Sequence, residues 1–148
     1  MANFEYLIAG LPDISPDWKG ADGAAADALL QEIREMCSAK DNRLIDTLMD
    51  GYEDEKLNLD FYKAALASKD PFIRGYFRFD LNVRNAKVAY LNKALGRPAG
   101  TDIFMEDPGE FAEAQRLDAV LNTDDILARE RGIDDLMWAK IDELTTFD

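Results

Sequence analysis

The feature that most constrains the fold is the stretch from Phe72 to Leu95, which fits one helix of about six turns. Asp70-Pro71 opens it, because an aspartate side chain accepts bonds from the first free amides and proline tolerates the first helical position. Gly96 and then Pro98 give the expected stop. Apolar residues occur on most sides of this helix, as is typical of a helix surrounded by others. The segment is therefore predicted to be the centre of an all-α fold.

Shorter helices are predicted before this segment from apolar residues at helical spacing. Residues 4–9 fit either a short strand or a first helical turn, and both interpretations stay open. The first of these helices is expected over residues 24–38, with Asp22 as its cap. The second is expected to begin near Asp41, and a third, short helix is expected to be capped by Asp60.

A loop is predicted from Pro98 to Gly109, followed by further helices. These are expected near Glu110, after Thr123 and after Asp134, with Gly132 separating the last two. The fold prediction is one irregular multi-helix bundle, a single helical domain over residues 1–148, arranged around a long central helix at about residues 72–95.

The charge of the chain restricts its partners. Seventeen Lys and Arg against 30 Asp and Glu give a net charge of −13, which repels phosphate backbones and anionic lipid. No apolar run approaches the roughly 18–20 residues that span a bilayer. We therefore expect no nucleic acid and no direct membrane insertion, and a cytoplasmic location, or one peripheral to the inner membrane through a complex.

The complete absence of histidine removes the usual general base and the commonest neutral metal ligand. Phosphate-cradling glycine loops and nucleophile elbows are also missing from the sequence. Carboxylate pairs at helical spacing, Glu32/Glu35 and Glu110/Glu113, are explained by solvated helix faces. We expect no enzyme activity, no cofactor, and no catalytic, cofactor-binding or metal-binding residues, with a carboxylate-based, metal-dependent hydrolase as the third-ranked function.

The positive charge is concentrated in the central segment. Residues 71–97 hold six basic side chains and one acidic side chain, Asp80, a local charge of +5. One interpretation is internal pairing with acidic neighbours, including Asp80 with Arg84 at i,i+4 spacing. The other is a surface that docks an acidic helix or loop of a partner. Its candidate residues are Arg74, Arg78, Arg84 and Lys87.

Asn82 and Asn85 are unusual inside this helix, because asparagine is a mediocre helix former. If they face inward, they are expected to bond to neighbouring backbone and fix how the helices pack.

Two segments resemble a known family. They are Tyr6-Leu7-Ile8-Ala9-Gly10-Leu11-Pro12 and the run from Asp70-Pro71-Phe72 through Tyr76-Phe77-Arg78-Phe79-Asp80-Leu81-Asn82-Val83-Arg84-Asn85 to Leu95-Gly96-Arg97. They resemble an uncharacterised bacterial family encoded among V-type ATP synthase genes. That family is similar to the C-type subunit of archaeal-type rotary ATPases, whose eukaryotic V-ATPase equivalent is the d-type subunit.

The resemblance implies an all-helical, non-catalytic adaptor that seats the central stalk on the rotor ring of a V/A-type rotary ATPase. Its partners would be other subunits of that ATPase. Family members are longer, so the chain is expected to be the N-terminal portion of such a protein, with self-association of the fragment through an unfinished interface. The alternative function is a free-standing acidic protein-interaction or inhibitor domain.

Overall fold

The computed structural model describes residues 4–12 and 23–146, apart from the side chain of Ala24. These residues form seven α-helices and one 3-10 turn at Asp54–Lys56, and they contain no strand. The helices are α1 Phe4–Ala9, α2 Gly23–Met36, α3 Ala39–Asp50, α4 Leu59–Leu66, α5 Pro71–Ala94, α6 Ala114–Leu121 and α7 Ile126–Thr145. The all-α fold with a long central helix is confirmed, and residues 4–9 are helical.

The chain divides into two compact units, Met1–Tyr52 and Glu53–Asp148, here called the N-terminal and C-terminal units. The single domain over residues 1–148 stays a prediction. None of the described helices is both long enough and apolar enough to cross a membrane.

In the N-terminal unit, hydrogen bonds define the turn between α2 and α3. Ser38 caps α3, because its hydroxyl accepts a bond from the Asp41 amide at 3.2 Å while the Asp41 carboxylate accepts one from the Ser38 amide. The Asn42 side-chain amide donates to the carbonyls of Arg34, Cys37 and Ser38. Helix α3 therefore begins at Ala39, near the start predicted at Asp41, and Asp41 is a partner in the cap. The predicted cap of α2, Asp22, lies outside the described residues.

In the C-terminal unit, α5 begins as predicted, with the Asp70 carboxylate accepting a bond from the Ile73 amide at 2.9 Å. Beyond its end, Gly96 has a φ of 65°, a conformation that glycine adopts without strain. The predicted cap of α4 was wrong. Asn58 accepts the bond from the Phe61 amide, and Asp60 lies inside the first turn.

Gly132 does not end a helix, contrary to the sequence prediction, because α7 continues through it. A Cβ placed on Gly132 would come within 2.8 Å of Val120 Cγ1 on α6. A glycine inside a helix costs only about 1 kcal/mol relative to alanine, and here it permits close approach of two helices. The helix predicted near Glu110 begins at Ala114.

Helix α5 packs against α4, α6 and α7, and the core of the C-terminal unit lies along it. Tyr62, Phe77 and Leu81 are completely buried, and Phe77 packs edge-on against the Phe61 ring of α4. A second buried cluster joins α5 to α6 and α7 and consists of Phe79, Val83, Leu117, Leu121, Ile133 and Leu136. The central helix thus has apolar contacts on several sides, as its sequence pattern indicates.

Candidate partner-docking surface

Three asparagines of α5 bind the connection that leads to α6. The Asn92 side chain is completely buried and donates to the carbonyls of Ala99 and Thr101. Asn85 donates to the Met105 carbonyl at 2.8 Å. Asn82 lies 3.5 Å from the Glu110 carbonyl. Asn82 and Asn85 therefore bond to neighbouring backbone, as expected, and the backbone in question is that of the long connection.

Two of the four candidate docking residues bind carbonyl groups of their own chain. Arg74 donates to the Ser68 carbonyl at 2.7 Å, just before α5. Arg84 donates to the Asp102 carbonyl at 3.1 Å, and its guanidinium lies 3.5 Å from the centre of the Phe104 ring. Both side chains hold connections in place, with one guanidinium nitrogen of each donating to a backbone carbonyl.

The other two candidates have different surroundings. Arg78 is half-buried, and its side chain passes close to Gly109, where a Cβ would lie 2.9 Å from Arg78 Cδ. It also lines a small cavity of about 210 Å³ together with Glu110 and Lys140. Lys87 is exposed and lines a separate groove of about 350 Å³. The four candidates thus do not form one continuous cationic patch.

Asp80 bonds to a tyrosine, although its spacing also fits a pair with Arg84. The Tyr62 hydroxyl donates to the Asp80 carboxylate at 2.7 Å. Burial raises the pKa of Asp80 above its usual value, and the Tyr62 bond and the charges of Lys87 and Arg84 only partly oppose that rise. Burial and then the Asp80 charge raise the pKa of Tyr62. No ion pair between Asp80 and Arg84 forms within the described residues.

The most buried ion pair of the described residues lies elsewhere, between the segment before α6 and α7. Lys140 Nζ is 2.7 Å from Glu113 and 2.8 Å from Glu143. Burial lowers the pKa of Lys140, but the bonds to the two glutamates outweigh that effect and raise the pKa overall. The arrangement is a structural tie, because both carboxylates are paired with the lysine.

A longer groove of about 700 Å³ runs between α5 and α6. Its surface is largely apolar, and its lining includes Ala86, Ala89, Tyr90, Ala94 and Phe111. Lys93 and Asp118 stand on its walls. This groove was not predicted from the sequence, and Lys93 was not among the predicted docking residues. The alanines were the available signal. Ala86 and Ala94 lie four residues before and after Tyr90, and Ala89 lies three residues after Ala86, which are spacings of one helix face.

The part of the chain that the structure describes has no cluster of metal-ligating side chains. No group of three or more His, Cys, Asp or Glu residues there is arranged to hold a metal ion. Glu32 and Glu35 are exposed on α2, so the predicted solvated helix face is confirmed for that pair. The prediction was wrong for Glu110 and Glu113, which precede α6, and Glu113 is bound to Lys140.

The chain matches no family model, and no curated protein or solved structure shows significant similarity to it.

Proposed function

We propose that this chain is a non-catalytic adaptor or central-stalk subunit of a V/A-type rotary ATPase, acting through contacts with other proteins. The observation that carries the proposal is the charge on α5 and the residues just after it. Three of the six basic side chains there, Arg78, Lys87 and Lys93, make no hydrogen bond or ion pair with a described residue.

The positive charge of the other three basic residues is also largely unneutralised, because their partners are mainly carbonyl groups. Arg74 and Arg84 donate to backbone oxygen atoms, and Arg97 makes a loose ion pair with Asp102 at 3.8 Å. Binding to a carbonyl adds no counter-charge, and the one acidic residue of α5, Asp80, lies close enough to interact only with the charges of Arg84 and Lys87. An acidic partner supplies that counter-charge, and electrostatic complementarity of this kind favours specific association.

The location of the resemblance supports the proposal. The two segments similar to the ATP-synthase-associated family correspond to α1 and to α5 with its flanking residues. Helix α5 packs against three other helices of the C-terminal unit. It also carries the basic side chains, so the resemblance includes the element on which the proposed contacts depend.

Co-purification tests this function. The complete gene product carries a tag at its chromosomal locus, membranes are dissolved in a mild detergent, and the captured proteins are quantified by mass spectrometry. We expect rotary ATPase subunits to be enriched together, relative to an untagged strain. Intact ATPase in the same extract with no subunit enriched on the tagged protein would contradict the proposal.

A further inference from the structure

The two grooves beside α5 are separate but adjacent. The groove between α5 and α6 and the smaller groove that Lys87 borders share Tyr90 and Leu121 in their linings. Leu91 also lines the smaller groove and is 48% exposed, although it is a large apolar residue. These two grooves together are called the Tyr90 tract.

Small side chains make the tract suitable for a helix. On the α5 wall, Ala86, Ala89 and Ala94 surround Tyr90, and Ala114 lies on the α6 wall. Alanines let a second helix approach closely, while a single large ring provides a ridge for its side chains. An amphipathic helix laid into an apolar groove is a common mode of recognition.

Two lysines border the tract on opposite sides of Tyr90. Lys87 precedes Tyr90 by one short turn and Lys93 follows it by the same distance, so each lies about 60° around the helix from Tyr90. They are separated by about 9 Å along the axis. Both are exposed, and neither pairs with a described residue. The nearby Arg129 differs, because it donates to the Thr123 carbonyl and lies over the Tyr90 ring.

The remaining walls limit which occupants fit. Asp118 on α6 and Glu130 on α7 line the walls that face α5. They repel a ligand that is acidic on all sides. The best fit is an amphipathic helix whose apolar stripe covers Tyr90 and whose carboxylates flank that stripe on the side of α5. A second copy of this chain is disfavoured, since it brings a net charge of −13, whereas a single helix that carries a few carboxylates interacts mainly with the two nearby lysines because salt screens charges beyond about 10 Å.

We propose that the Tyr90 tract binds an amphipathic helix of a partner protein, with acidic side chains of that helix paired to Lys87 and Lys93. The inference rests on the proposed function only for the partner's identity, which is then another subunit of the rotary ATPase. The chemistry of the tract stands independently of that identity.

Site-specific photocrosslinking tests the proposal in the native cell. A benzoylphenylalanine replaces Ala89 in the complete gene product, and a control replaces Ala64, which is exposed on α4. We expect an Ala89 crosslink to an acidic amphipathic helix, mapped by mass spectrometry, and no such product from Ala64. A crosslink to another copy of this chain, a crosslink to a segment without that pattern, or no crosslink overturns the proposal.

Charge reversal supplies the second measurement. Lys87→Glu with Lys93→Glu is compared with Lys63→Glu, an exposed lysine on α4. We expect the double variant to lower the Ala89 crosslink yield by about tenfold, while Lys63→Glu leaves it unchanged. Circular dichroism and the Tm verify that both variants fold. Equal yields from the folded variants overturn the pairing to the lysines.

The two proposals fail separately. If ATPase subunits co-purify but the crosslink and charge variants have no effect, the tract is not the docking site and the proposed function stands. If Ala89 crosslinks to an acidic amphipathic helix of a protein outside the ATPase, the tract assignment stands and the proposed function fails.

Discussion

The two units use similar helices but are stabilised in different ways. Twelve apolar side chains are buried in the C-terminal unit, whereas none of the described residues in the N-terminal unit is buried to that degree. The N-terminal unit relies on the Ser38 capping box, the Asn42 amide and an ion pair of 2.8 Å between Arg34 and Asp46. Local hydrogen bonds can therefore set the geometry of a helix pair whose described side chains are at most half-buried.

The largest expected difference comes from the same truncation in each unit. Leu117 is completely buried, so Leu117→Ala should lower the free energy of unfolding by about 2–5 kcal/mol. Leu48 of α3 is only half-buried, and Leu48→Ala should cost about 1 kcal/mol. Urea unfolding followed by circular dichroism measures both. Equal losses of stability would contradict the comparison, because they would show that Leu48 is packed as tightly as Leu117.

Glycine-to-alanine substitutions should have opposite signs in the two units. In α7, Gly132→Ala places a methyl group against the stiff side chain of Val120 and should destabilise by about 1–3 kcal/mol. At the start of α2, Gly23 has no atom within 4 Å of an added Cβ. Gly23→Ala should therefore stabilise by about 0.5–1 kcal/mol. The Tm values of the two variants check the signs, and a stabilised Gly132→Ala would mean that α6 moves away easily.

Two of the carbonyl-binding asparagines, Asn92 and Asn42, provide a smaller contrast. The Asn92 side chain is completely buried, so Asn92→Ala both vacates its site and removes the donor of the Ala99 and Thr101 carbonyls, and should cost about 2 kcal/mol. Asn42 is only half-buried, so water can replace its amide at the three carbonyls that it binds, and Asn42→Ala should cost about 1 kcal/mol. Hydrogen exchange resolved by segment locates each effect. Equal changes in exchange at both turns would contradict the expectation that the more buried asparagine contributes more to stability.

The smallest expected effect is a pair of opposite pH dependences. The Ser38 bonds lower the pKa of Asp41, so its contribution to stability is present above its ordinary value of 3.8 and is lost as the pH falls. Burial raises the pKa of Asp80, so the folded state holds that proton longer and stability declines as the pH rises above 3.8.

The variants Asp41→Asn and Asp80→Asn isolate these two contributions. Relative to the unaltered protein, Asp41→Asn should be less stable at neutral pH, with the difference shrinking in acid. Asp80→Asn should become relatively more stable as the pH rises through the same range. Urea midpoints measured across that range decide the matter, and slopes of the same sign would contradict the burial argument for Asp80.

The sequence predicts helices well where the local chemistry is sufficient. Asp70-Pro71 starts α5 as expected, since capping and the fixed φ of proline act within one turn. Gly132 misled the prediction because the reason for a glycine there is Val120, which belongs to another helix. Asp60 misled it because Asn58, two residues earlier, has the right backbone conformation for the cap.

The surroundings of the basic residues were less accessible to sequence reasoning. Composition gives the charge of the central segment, but the carbonyl partners of Arg74 and Arg84 depend on how the connections fold back over α5. The Tyr90 tract likewise requires two helices distant in sequence to meet beside one ring. Spacing within a helix indicates which residues share a face, and it does not indicate what covers that face.

The way α5 contacts its neighbours has a consequence for synthesis on the ribosome. In the C-terminal unit, the main packing pairs are α4 with α5, α5 with α6, α6 with α7, and α5 with α7. Only the last joins helices that are not consecutive, and contacts close in sequence form rapidly because little loop entropy is lost. The growing chain can therefore assemble α4 against α5 as soon as both emerge, and α7 completes the unit last.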